Sequence, residues 1–193
     1  MIFIAVILAS KSPRRAALLR MIGLEDFCVV PADTEEIAPP GASPAATVCQ
    51  IAGGKCRAVA SRSAPGDLII AADTLVYLDG AGMGKPQTPA HALHMLLALS
   101  DRRHAVYTGV ALQKDGDLLC QYEKTDVFFR KIGREEARAY VDTGEPMDKA
   151  GGYGIQGRGA VFVRRIEGDY FNVVGLPLCR LTMMLSEMGV GIL

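Results

Sequence analysis

The chain has no tryptophan, only three histidines, and no two cysteines in C-x-x-C spacing. The few histidines and the missing C-x-x-C pair argue against a soft-metal, zinc-type centre, and leave open a hard ion held by carboxylates and phosphate oxygens. His91 and His94 share a helix face without the glutamate of an H-E-x-x-H pattern, and His104 stands alone. Five cysteines (Cys28, Cys49, Cys56, Cys120, Cys179) are an odd number, which predicts reduced, mostly buried thiols rather than a disulfide framework. A charge excess is missing as well: Lys+Arg and Asp+Glu stand at 21 each. No net field draws a polyanion or an anionic membrane, so neither nucleic acid nor membrane is an expected partner, and any anion site must be a local cluster. The apolar start, Met1 to Ala9, is too short to span a bilayer and has no basic flank, which predicts no signal peptide and a cytoplasmic protein. The loop G-x-x-x-x-G-K-[ST] is absent, which argues against a phosphotransferase. Repeats, linkers and low-complexity runs are also lacking. At 50% hydrophobic and 22% charged, the 193 residues read as one soluble globular domain, 1–193.

Helix starts stand out next. Ser12-Pro13, Ser43-Pro44 and Thr88-Pro89 each place an N-cap hydroxyl before a proline suited to the first helical turn. Helices are predicted from Pro13 to Gly23, from residue 44 to about 62, and from residue 89 to about Ser100. Two more are expected over 135–142 and 177–187. Strands are predicted at 2–8, 28–31, 67–78, 105–113, 118–130 and 160–166. Lys114-Asp115-Gly116-Asp117 reads as a hairpin turn. Helices interleaved with strands and an internal hairpin argue for an α/β fold, a central mixed, twisted sheet flanked by helices.

Candidate chemistry gathers in a few segments. In Leu8-Ala9-Ser10-Lys11-Ser12-Pro13-Arg14-Arg15, helix amides, two hydroxyls and two guanidinium groups follow a buried strand, a combination suited to a phosphate chain. Asp73 lies in the apolar strand Leu68 to Val76, where a carboxylate needs a metal or cationic partner to offset desolvation. Glu35-Glu36 offers adjacent loop carboxylates. Lys55 sits among small residues on a helix, and Lys85 closes the loop Gly84-Lys85-Pro86. Each lysine alone reads as a surface charge. Residues 144–159 hold a glycine-rich segment whose Asp148, Lys149, Tyr153 and Gln156 suit a ligand loop. Its G-x-G-x-x-G, Gly152 to Gly157, follows a polar loop instead of a strand and is not a dinucleotide fingerprint.

Together these landmarks, with His104-Ala105-Val106-Tyr107-Thr108-Gly109-Val110, resemble the Maf family of nucleoside triphosphate pyrophosphatases over nearly the whole chain. The resemblance implies an inosine triphosphatase-like fold, a cytoplasmic protein linked by family name to septum formation, and a homodimer. It implies hydrolysis of a nucleoside triphosphate to the monophosphate and pyrophosphate with a divalent cation, Mg²⁺ or Mn²⁺. Glu145-Pro146-Met147-Asp148-Lys149-Ala150-Gly151 and Gln156 resemble the subclass acting on dTTP and UTP. The alternatives are a 7-methyl-GTP pyrophosphatase of the same family and a non-catalytic nucleotide-binding regulator of septum formation. By resemblance, Asp73 is the proton acceptor, Arg14, Thr74 and Gln156 set base choice, and Glu36 rather than Glu35 joins Asp73 at the metal. Lys11 and the Glu-Glu pair depart from commoner family residues without removing a catalytic group.

Ser10, Ser12, Arg14 and Arg15 would hold phosphate, with Lys55 and Lys85 adding positive charge beside Asp73 and Glu36. Gln156 can accept from N3–H and donate to O4 of uracil or thymine in one bidentate contact.

Overall fold

A computed structural model describes residues 5–34, 37 and 40–192. Glu35 and Glu36 lie outside the described residues, as do residues 1–4 of the expected first strand. Strands β1 (Val6–Leu8), β2 (Phe27–Val29), β3 (Leu68–Leu78), β4 (Ala81–Met83), β5 (Arg103–Lys114), β6 (Asp117–Phe129) and β7 (Val163–Glu167) form one seven-stranded sheet. Its order is β2-β1-β3-β5-β6-β7, with β4 paired to β3. β1 runs parallel to β2 and β3, whereas β4 and β7 are antiparallel to β3 and β6, so the sheet is mixed.

The three Ser/Thr-Pro pairs start helices as their chemistry requires. In α1 (Pro13–Met21), α2 (Pro44–Ala60) and α3 (Pro89–Leu99), the hydroxyls of Ser12, Ser43 and Thr88 accept from the N–H three residues on. Helices α4 (Arg134–Val141), α5 (Tyr170–Val174) and α6 (Leu178–Glu187) follow. No described helix is long and apolar enough to cross a membrane.

The chain gathers into two compact units. The first comprises Met1–Asp73, Thr108–Glu123 and Gly175–Leu193. Within it α2 lays Ala52, Cys56 and Val59 against Ile7, Ala9, Ile69, Ala71 and Ala111. Gly109 permits this approach: a Cβ there would stand 2.4 Å from the Val48 carbonyl oxygen of α2. The second unit comprises Thr74–Tyr107 and Lys124–Val174. Its core joins Val76, Leu96, Leu99, Val127, Phe129, Tyr140 and Phe162, with apolar faces of α3 and α4 turned inward.

Several boundaries and exposures differ from expectation. The strand expected at 160–166 begins at Val163, because Arg158–Phe162 coils into a 3₁₀ turn that buries Phe162. The second strand is Phe27–Val29, ending two residues earlier than expected. Short β4 and α5 were not anticipated; three and five residues are too few for a periodic signal. The cysteines are free, but only Cys56 is buried; Cys28 and Cys179 are exposed, and Cys49 and Cys120 are half-buried. Cys28 lies on β2, the edge strand of the sheet.

Candidate active site

The first unit holds Ser10 to Arg15, Lys55 and Asp73. Ala9 donates its N–H to the Ile70 carbonyl at 2.8 Å, the last link of the parallel β1–β3 register. Ser10 to Arg15 therefore leave the sheet from the end of β1 beyond which β3 carries Asp73, three residues past Ile70. Ser10 is buried, and its hydroxyl oxygen accepts from the Ser12 N–H at 3.2 Å and from Arg15 at 3.1 Å. Arg15 also donates through Nε to the Gly175 carbonyl at 2.8 Å. Two of the four expected phosphate ligands, Ser10 and Arg15, thus also brace the turn before α1. Ser12 caps that helix, and Arg14 is half-buried beside it.

Asp73 is 8% exposed and Lys55 7%, and Lys55 Nζ donates to Asp73 Oδ1 at 2.8 Å. The partner anticipated for the buried carboxylate is therefore a lysine from α2. Lys55 is not the surface charge that its type suggested. It lies on the helix stripe Val48, Ala52, Cys56 and Val59, and that spacing directs it inward. The stripe was the available signal. α2 is held in place at Cys56, whose thiol donates to the Ala111 carbonyl at 3.2 Å. Burying both charges is sustained by their short contact, since either alone would carry an uncompensated desolvation cost.

Thr74, Lys85 and Gln156 belong to the second unit, where Thr74 is half-buried and the other two are exposed. The glycine-rich segment is not a loose connector; Glu145–Asp148, Ala150–Gly152 and Arg158–Phe162 form successive 3₁₀ turns. Tyr153, expected to offer a polar group to ligand, is instead buried with its hydroxyl 2.8 Å from His104 Nε2. His104 and Phe129 pack edge-on, their ring centroids 4.9 Å apart. Burial drives the His104 imidazole down to about 4, with the Asp126 charge opposing the fall. This residue is 2% exposed, and its Nδ1 has no hydrogen-bond partner among the described residues. Lys149 donates to the Glu145 carbonyl at 2.8 Å.

Glu145, named in the sequence only as part of the subclass string, has a structural role that the sequence reading missed. The Glu145 carboxylate accepts from the Tyr140 hydroxyl at 2.9 Å, the Arg158 N–H at 2.9 Å and the Gly159 N–H at 3.2 Å. Burial by itself would raise the Glu145 carboxyl, but these donors and the Lys149 charge hold it below the usual range. Only the acid at the head of a glycine-rich segment hinted at this.

Among the described residues no cluster of three or more His, Cys, Asp or Glu could hold a metal unaided. A magnesium-type ion asks less, one or two carboxylates with substrate phosphates and water completing its shell. Asp73, on β3 beyond the end of β1, offers one such carboxylate, with Oδ1 already paired to Lys55.

Residues 5–188 match the family model for Maf-like protein. A relative from Symbiobacterium thermophilum, named dTTP/UTP pyrophosphatase, is 50% identical over 95% of this chain and 94% of its own. One from Moorella thermoacetica, of the same name, is 48% identical over 97% and 96%. Among solved structures, a HAM1 protein from Coxiella burnetii shares the fold with TM-score 0.53 and 20% identity, over 96% of this chain and all of that one. The Ham1 protein of Staphylococcus aureus does so with TM-score 0.52 and 15% identity, over 95% and 99%. On the match across 5–188 and relatives at half identity, this chain belongs to the Maf-like proteins.

Proposed function

We propose that this protein hydrolyses nucleoside triphosphates, dTTP and UTP foremost, to the monophosphate and pyrophosphate, as one catalytic domain over 1–193. The observation that carries the reading is the buried Asp73 carboxylate, held at 2.8 Å by Lys55 within an otherwise apolar strand. Such a charge pair is costly to bury, so its place in an apolar strand points to a role beyond packing. The names of the relatives, 42% to 50% identical, support the choice of substrate.

In this mechanism the obstacle is repulsion, since a nucleophile must approach a triphosphate bearing about four negative charges. Arg14, Arg15, the hydroxyls of Ser10 and Ser12, and the first amides of α1 bind phosphate oxygens. Lys85 adds charge. Asp73 orients a water and takes its proton as the water oxygen bonds to the α-phosphorus. The bond from the α-phosphorus to the bridging oxygen breaks, and pyrophosphate leaves with that electron pair. Lys55 holds the Asp73 carboxylate in line throughout. Asp73 and Glu36 are the residues that would hold Mg²⁺ or Mn²⁺, which would supply neutralisation of phosphate charge and a more acidic water. Arg14, Thr74 and Gln156 select the base. The same reading includes a homodimer, which sedimentation of the purified protein tests, and a cytoplasmic location, which fractionation of cells tests.

The deciding experiment is pyrophosphate release from a nucleotide panel, with and without Mg²⁺. Turnover of UTP and dTTP ahead of 7-methyl-GTP is the expected result, with Asp73→Asn lowering kcat by about 10²–10⁴-fold. Preference for 7-methyl-GTP, or full turnover by Asp73→Asn, refutes the reading.

A further inference from the structure

We infer that Glu145 is a positioning residue for base selection, its carboxylate stapling the turn that carries Gln156. The inference rests on the proposal that Gln156 reads the base. The contacts surround that residue: Arg158 and Gly159 donate backbone N–H groups directly to the carboxylate at 2.9 and 3.2 Å. On the other side, the Gly154 N–H donates to the Tyr140 hydroxyl at 3.0 Å, and that hydroxyl donates to Glu145 Oε1 at 2.9 Å. Both flanks of Gln156 are thus tied to one carboxylate.

Gly157 gives independent support. A Cβ there would stand 2.4 Å from Glu145 Oε1 and 2.6 Å from Oε2. The residue has φ −111°, outside the left-handed region that favours glycine. Its missing side chain therefore makes room for the carboxylate and does not serve a left-handed turn. Gly159 repeats the theme, since a Cβ there would lie 2.7 Å from the Tyr140 hydroxyl oxygen. An ionised carboxylate is a pure acceptor, the one group that answers three converging donors.

The link to selectivity is chemical. Uracil offers a donor at N3 and an acceptor at O4, and cytosine reverses both. A side-chain amide that can turn over would read either base. Discrimination therefore needs neighbouring groups that fix the amide's orientation, which they can do only while the turn holds Gln156 in one place, and Glu145 ties that turn on both sides. Glu145→Gln places an NH₂ against N–H donors and loosens the turn. Gly157→Ala pushes the carboxylate away from the opposite side.

The test is steady-state hydrolysis of UTP and CTP by the wild type, Glu145→Gln, Gly157→Ala, Glu145→Ala and the Glu145→Ala/Gly157→Ala double variant. Glu145→Gln and Gly157→Ala are each expected to raise KM for UTP about tenfold. Each should keep kcat within about threefold and cut the UTP/CTP ratio of kcat/KM about tenfold. The added alanine at 157 should cost nothing further once Glu145 is alanine, because its clash is gone. Wild-type KM and UTP/CTP ratio in Gly157→Ala overturn the inference, even if Glu145→Gln fails to fold. A fall in kcat with the base ratio intact overturns it as well. A wild type inactive on both nucleotides overturns the functional reading, and this inference with it.

Discussion

Lowering the pH from 7 to 5 should unsettle this protein through one imidazole. His104 is 2% exposed, and its pKa falls from 6.5 to about 4 on folding, first because of burial. Between those values the unfolded chain binds a proton that the folded chain refuses. Stability is therefore complete above pH 6.5 and drains away as pH falls towards 4. A protonated ring would carry N–H donors at both nitrogens. Nε2 could still reach the Tyr153 hydroxyl at 2.8 Å, but Nδ1 has no acceptor among the described residues. Linkage between 6.5 and about 4 amounts to about 3 kcal/mol at most, of which about 2 kcal/mol is lost between pH 7 and pH 5. The Glu145 and Glu136 carboxyls, both lowered in the fold, add losses only at more acidic pH. Urea unfolding at the two pH values measures the effect as a midpoint about 1 M lower at pH 5. His104→Gln, which keeps a polar partner for Tyr153 but cannot titrate, should flatten that difference. An equal fall in midpoint for wild type and variant would refute the reasoning.

Two further outcomes follow from charge and packing. Lys55→Met strands the buried Asp73 carboxylate and should cost about 3–5 kcal/mol, whereas the Lys55→Met/Asp73→Asn double variant should recover most of that loss. Urea midpoints of the three proteins check this, and strict additivity would refute it. Gly109→Ala forces a Cβ to within 2.4 Å of the Val48 carbonyl, so α2 must shift, at about 1–3 kcal/mol. A melting temperature unchanged from wild type would show that α2 does not rest on that glycine.

Much of the architecture was legible because its signals are local. Ser12-Pro13, Ser43-Pro44 and Thr88-Pro89 announce helix starts through chemistry contained within four residues. A carboxylate inside Leu68 to Val76 marks Asp73 as needing a partner wherever that strand lies. The partner itself was not legible by residue type, because lysine is ordinarily solvated. Only helix spacing could have turned Lys55 inward, and the contact spans eighteen residues. Tyr153 misled for a similar reason. Within its glycine-rich segment it reads as a ligand group, yet its partner His104 lies 49 residues away in sequence.

Composition, periodicity and capping, which act over one or two turns of chain, determined by themselves that this is an α/β protein with a phosphate-suited helix start and an unusual strand aspartate. Tertiary structure alone decided that Lys55 neutralises that aspartate, that Ser10 and Arg15 brace a turn, and that Glu145 gathers donors from both flanks of Gln156. The Ser10–Arg15 contact spans five residues but is fixed also by Gly175, whereas the Lys55–Asp73, Gly154–Tyr140 and Gly159–Glu145 contacts join groups 14 to 18 residues apart along the chain. Their energies depend on burial and distance, quantities that exist only once the backbone has folded.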